Sequence, residues 1–164
     1  MHQDLIKHFR EKGFVTIPSV LEDLEVEFYR ELLKDAIKER KQLDNRQLSQ
    51  KSLYEQSFIQ CQNLWEDFKD IRELTFDQRI AGIAAKLLGV DRLRIWHDQA
   101  LIKESGGRET DTHHDASYWP IKETNTITAW IPMVSISERN GHMGFFSGTH
   151  KVKEKRFINI FNGK

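Results

Sequence analysis

The sequence predicts a mainly β fold with flanking helices: a helical scaffold over residues 1–90 and antiparallel strands over 91–164, packed as a single domain. Two observations predict it. Apolar residues recur at three- and four-residue steps in the first half, and this spacing gives way to alternation from Arg92 onward. The punctuation changes too, from capping residues and single glycines to the Gly106-Gly107 and Asn140-Gly141 turns. A chain of 164 residues is the size of one domain and long enough to bury a substantial core.

Taken in order, Leu5 to Arg10 predicts a short helix that stops at Gly13, and Phe14 to Ile17 has β-forming character before Pro18. Ser19 is expected to cap the longest helix, with Glu22 reaching back three residues on. Its buried stripe is expected at Leu21, Leu24, Phe28, Leu32 and Ala36, with charged residues opposite. Lys38 to Gln56 is polar without a sustained period and is expected to be a frayed helix end and a mobile loop. Thr75 and Gln78 form a capping pair before a helix with the stripe Ile80, Ile83, Ala84, Leu87 and Leu88, ended by Gly89. Arg92 to Lys103 alternates, placing Leu93, Ile95, His97, Gln99, Leu101 and Lys103 on one strand face; Thr126 to Val134 is expected to be a further strand.

Composition narrows the function. The 25 basic and 25 acidic residues cancel to a formal net charge of zero, so no overall field favours nucleic acid or an anionic membrane. No signal-peptide pattern follows Met1, and no apolar run approaches a membrane span. The chain reads as soluble and cytoplasmic. Cys61 is the only cysteine, which excludes an intrachain disulfide and suits a small core residue better than a nucleophile.

The chemistry concentrates in Thr112-His113-His114-Asp115-Ala116-Ser117-Tyr118-Trp119, between a glycine-rich loop and an expected strand. In extended backbone, residues two apart point the same way, so His113 and Asp115 can converge on one cation while His114 faces elsewhere. That is two-thirds of a facial triad. Two histidines and a carboxylate on one face of octahedral iron leave three positions for a bidentate 2-oxoacid and dioxygen. His-x-Asp alone is a common string, and the competing reading is a solvated polar turn in which Asp115 caps and the histidines are idle.

The surrounding string resembles the phytanoyl-CoA dioxygenase family, whose motif runs His-x-Asp, two residues, then an aromatic pair, here Tyr118-Trp119. Asp98-Gln99 to Lys103 is similar to the strand preceding that motif, and Thr128-Ala129-Trp130-Ile131 to a core strand with an inward tryptophan. Asn140-Gly141 to Ser147-Gly148-Thr149-His150-Lys151 resembles the family's Asn-Gly to Gly-Ser-His-Lys turn, and Phe9 to Pro18 its amino terminus. The resemblance implies a double-stranded β-helix, a cupin-like jelly roll with helices packed on one side, incomplete in this chain. It further implies an iron(II)- and 2-oxoglutarate-dependent dioxygenase that hydroxylates a small organic substrate, consuming dioxygen and releasing succinate and carbon dioxide.

Site residues follow from the same resemblance. His113 and Asp115 become metal ligands; Gln99, Lys103, Thr128 and Trp130 line the 2-oxoglutarate pocket; Tyr118 and Trp119 border the substrate or seal the barrel mouth. Lys103 is equally readable as a surface lysine, and Trp130 as core. His150 is set aside as a ligand because it falls in the segment matching the Gly-Ser-His turn, where its role is structural; His142 reads as solvated, and His2, His8 and His97 have no partner pattern. The pattern breaks at the distal end: the family's second ligand histidine and the arginine beyond it find no match before Lys164. Lys151 to Lys164 looks like another strand beginning, so the chain is expected to be a fragment or a truncated form. Two further readings stay open, a catalytically inactive fragment or binding module, and a cupin-like zinc or manganese protein recruiting His114, His142 or His150.

Overall fold

The structure, a computed structural model, describes residues 3–153, 157, 159 and 160. Helix α1 (Gln3–Lys12) ends where Gly13 takes φ +88° and donates its N–H to Phe9 O at 2.8 Å. Phe14 to Ile17 forms no strand. Helix α2 (Asp23–Gln42) starts later than Ser19, which sits at φ +55°; Glu22 is the capping residue, and its N–H donates to the Glu25 carboxylate at 2.8 Å. The expected stripe holds in its second half, where Ala36 is buried and Leu32 packs on the core, but not in its first: Leu24 is 78% and Phe28 53% exposed, and Tyr29 and Ile37 are buried instead. Two apolar stripes lie side by side on this helix, and the face meeting the sheet and α5 decides between them.

Lys38 to Gln56 is more ordered than expected. α2 runs on to Gln42, a 3₁₀ turn occupies Leu48–Gln50, and Ser52 caps α3 (Leu53–Ser57) through a reciprocal box with Glu55 at 3.2 and 2.9 Å. Strand β1 (Phe58–Gln62) follows, then α4 (Leu64–Asp67), α5 (Lys69–Thr75) and α6 (Gln78–Leu88). Asp77, not Thr75, caps α6, accepting from Arg79 N at 2.7 Å and Ile80 N at 3.2 Å; Gly89 ends it at φ +72°.

β2 (Gln99–Lys103) pairs antiparallel with β1 in the register Phe58↔Lys103 to Gln62↔Gln99. Alternation gives the sheet two unlike faces. Ile59, Cys61 and Ala100 pack toward Ala36 and Ile37 of α2, Leu64 and Ile71 in the main core. Phe58 faces the other way, into a cluster with Tyr54, Ile160 and Tyr118. Lys103 stands over the Phe58 ring at 4.9 Å, so the cross-strand pair is a cation–π contact.

The expected double-stranded β-helix, and with it the mainly β class, is overturned. The described residues are mostly helical and hold one two-stranded sheet. Of Arg92 to Lys103 only the last five residues form a strand, and Thr126 to Val134 forms none. Strand-like alternation becomes a strand only where a neighbour takes its N–H and C=O groups, and no described segment pairs with Thr126 to Val134. Leu93, Ile95, Trp96, Trp130 and Val134 accordingly remain exposed.

One carboxylate holds the layers together. Asp98, at the head of β2, accepts from Leu64 N at 2.9 Å, Trp65 N at 3.1 Å and Thr75 Oγ1 at 2.9 Å, while its carbonyl accepts from Asn63 N at 3.1 Å. Asp98→Ala leaves the Leu64 and Trp65 N–H groups without their acceptor in a partly buried place, while Thr75 Oγ1 keeps the Ile71 carbonyl at 3.2 Å, and should cost about 2–4 kcal/mol, read from urea unfolding. A loss under about 0.5 kcal/mol would show the carboxylate to be dispensable.

Candidate metal centre

The loop after β2 is steered toward the motif by packing. Glu104 N donates to Ser57 O at 2.9 Å, Arg108 N to Ser57 Oγ at 3.2 Å, and a Cβ on Gly107 would come within 2.6 Å of Ser57 O. Only glycine fits so close to another backbone. Beyond the loop the backbone is extended at His114 (φ −113°, ψ 123°) and then turns into a 3₁₀ turn, Asp115–Ser117, with Ser117 N donating to His114 O at 3.0 Å.

His113 and Asp115 meet. His113 Nε2 lies 3.3 Å from Asp115 Oδ1, and their remaining polar atoms are tied elsewhere: His113 Nδ1 is 2.7 Å from Asp111 O, and Thr128 Oγ1 donates to Asp115 Oδ2 at 3.3 Å. A ring nitrogen against a carbonyl carries the proton, so Nδ1 donates to Asp111 O; Nε2 donates to Asp115 when the ring is protonated and is the unprotonated nitrogen when it is neutral. The Asp115 carboxylate holds the His113 imidazole above its ordinary titration, against the opposing effect of burial, with help from the Asp111 carbonyl. Reciprocally, the bond from His113 holds Asp115 below the usual carboxylate range, again against burial, and Thr128 adds to it. The Tyr118 ring stands edge-on to His113 at 5.6 Å and packs on Phe157 at 5.3 Å, forming the apolar wall beside the pair.

A nitrogen and an oxygen donor converging in this way, each with its outer atom anchored, fit a divalent cation. Among the described residues no third His, Cys, Asp or Glu joins them. A family model, phytanoyl-CoA dioxygenase (PhyH), matches residues 9–161. The chain belongs to the phytanoyl-CoA dioxygenase family. No curated protein and no solved structure matches it.

In this family member the other candidate residues are dispersed. Thr128 is brought to Asp115, and Lys103 Nζ donates to Arg108 O at 2.7 Å while Gly141 lies against its stem. Gln99 is exposed on the Lys103 face of β2, Trp130 is 45% exposed, and Trp119 meets His97 edge-on at 6.1 Å. His150 is engaged with Arg10 O at 3.1 Å. A cleft of about 410 Å³ between Asp23, Val26, Glu27, Arg30 and Pro132 to Ser135 contains none of these groups, and the chemistry points to His113 instead. Reading the sequence alone missed Asp111, which acts through its carbonyl and so leaves no side-chain signal, and His97, which reaches Trp119 and the Asp115 charge from a distant segment.

The linkage has a definite sign. Because the folded His113 titrates higher than an unfolded one, its stabilisation is complete below the unfolded value and is lost as pH rises through the folded one. Asp115 is the reverse: its stabilisation is present above the unfolded carboxylate value and lost as pH falls through the depressed one. In metal-free protein followed by NMR, the His113 ring should titrate above free histidine, and Asp115→Asn should bring it down. An unchanged midpoint in that variant would break the assignment of the pair.

Proposed function

We propose that the protein is an iron(II)- and 2-oxoglutarate-dependent oxygenase acting on a small organic substrate. Family membership supports the class, and the observation that carries it to these residues is the His113 Nε2 to Asp115 Oδ1 approach of 3.3 Å with both outer atoms anchored. Iron(II) with 2-oxoglutarate supplies, when bound, the coupling of oxoacid decarboxylation to hydroxylation of a substrate C–H bond. His113 and Asp115 hold the metal. Asp111 O keeps the proton on Nδ1, so Nε2 is free to ligate, and a cation arriving there displaces any proton shared with Asp115. Thr128 fixes the carboxylate's orientation, and Tyr118 with Phe157 keeps water from one side of the imidazole. In this proposal Gln99, Lys103 and Trp130 serve the 2-oxoglutarate side, Lys103 as a counter-charge to a carboxylate, while Tyr118 and Trp119 serve the substrate side.

The two-donor set among the described residues favours one further reading, a member of the family that binds metal without turnover. Both are tested by adding iron(II), 2-oxoglutarate and oxygen and measuring succinate, with metal affinity measured separately. The oxygenase predicts succinate that needs all three additions and disappears in His113→Ala and Asp115→Ala; Thr128→Val should weaken metal affinity about tenfold. Metal binding that requires His113 without any succinate supports the non-catalytic member. Succinate formation undiminished in His113→Ala would refute both assignments of the ligand.

A further inference from the structure

Residues 141–150 run from Lys103 to the end of α1. At the first end Gly141, at φ +89°, lies against the Lys103 stem, where an added Cβ would come within 3.0 Å of Cδ. At the other end three unlike contacts fasten the segment. Gly148 N–H donates to Lys12 O at 2.8 Å, Phe145 stacks on Phe14 at 5.1 Å, and His150 Nε2 lies 3.1 Å from Arg10 O. An imidazole nitrogen facing a carbonyl carries the proton, so the His150 ring is the donor. The Arg10 and Lys12 carbonyls belong to the last turn of α1, where a helix leaves its final C=O groups without intrahelical partners.

The ring is seated on Gly13. A Cβ built there would overlap His150 Nδ1 and fall 2.8 Å from Cγ and 3.2 Å from Cβ. Gly13 is therefore required twice. Its φ of +88° is the left-handed conformation of a helix C-cap, and its missing side chain leaves the surface that the imidazole covers.

We propose that His150 is the distal C-cap of α1 and Gly13 its seat, a clasp that fastens the 141–150 strap to the amino-terminal helix and so keeps the Gly141 backbone against Lys103. The contacts span about the whole described chain, which makes the clasp a tie between the helical half and the motif-bearing half. It assigns His150 a positioning role, distinct from metal ligation.

The test is native-state hydrogen exchange at the Gly148 amide, whose bond to Lys12 O exists only when the strap is closed. His150→Ala should speed this exchange about fivefold, the effect of one lost hydrogen bond. Gly13→Ala should speed it about fiftyfold, combining the cost of a side chain at positive φ with displacement of the ring. The two are coupled in a particular way: in the Gly13→Ala background, His150→Ala should change the rate less than about twofold, because the ring has already left its seat. Exchange at the β1–β2 ladder should stay at the wild-type rate, which separates strap opening from global unfolding. Should the variants unfold globally, the nitrogen NMR of the wild-type ring decides: Nε2–H supports the clasp and a neutral ring protonated only at Nδ1 overturns it. Unchanged exchange at Gly148 in His150→Ala, or independent, multiplying effects of the two substitutions, would also overturn it.

Discussion

The carboxylate of Asp98 is where three elements become one structure. It caps α4 through two backbone N–H groups, receives the Thr75 hydroxyl at the end of α5, and stands at the head of β2. A short strand such as β2 has little of its own to hold it, since five residues paired to one neighbour are marginal without packing on both faces. Asp98 fixes where that strand begins, and the register with β1 then fixes everything after it. Lys103 must fall over Phe58, and the chain must turn at Gly106-Gly107 across Ser57. The position of His113 follows from that path.

The sheet separates two kinds of environment that the candidate centre needs. Its α2-facing side is aliphatic and holds the fold; Cys61 sits there, its thiol pushed up by burial and so kept inert. Its opposite side carries the rings of Tyr54, Phe58 and Tyr118 packed with Ile160, next to which His113 is about three-quarters covered while Asp115 is half exposed. One donor is thus set rigidly and the other is reachable from solvent, an arrangement through which a cation can arrive and be held. The outer atoms of the two residues are held by Asp111 O and Thr128 Oγ1.

Local signals in the sequence were legible where the chemistry is local. Gly13 and Gly89 end their helices as expected, and His113 and Asp115 converge across an extended His114. Strand β1 was equally local but overlooked: Ile59 and Cys61 alternate with Gln60 and Gln62, and Ser52 to Glu55 is a capping box just before it. Decisions made by distant partners were not legible. Tyr29 rather than Phe28 is buried because of what α2 packs against, Thr75 serves Asp98 rather than α6, and Thr126 to Val134 alternates without a neighbour to pair with. The jelly-roll expectation rested on family order, and a sheet of that kind is a property of paired segments rather than of any single one.

The most direct test of a metal centre at His113 and Asp115 is a paramagnetic map. Manganese(II) added in small portions to nitrogen-15-labelled protein should broaden first the His113 ring and the amides of His114, Asp115 and Thr128, with the His150 ring and the β1–β2 ladder affected later. Broadening centred on His142 or His150, or spread evenly over the acidic residues of α2, would contradict the assignment.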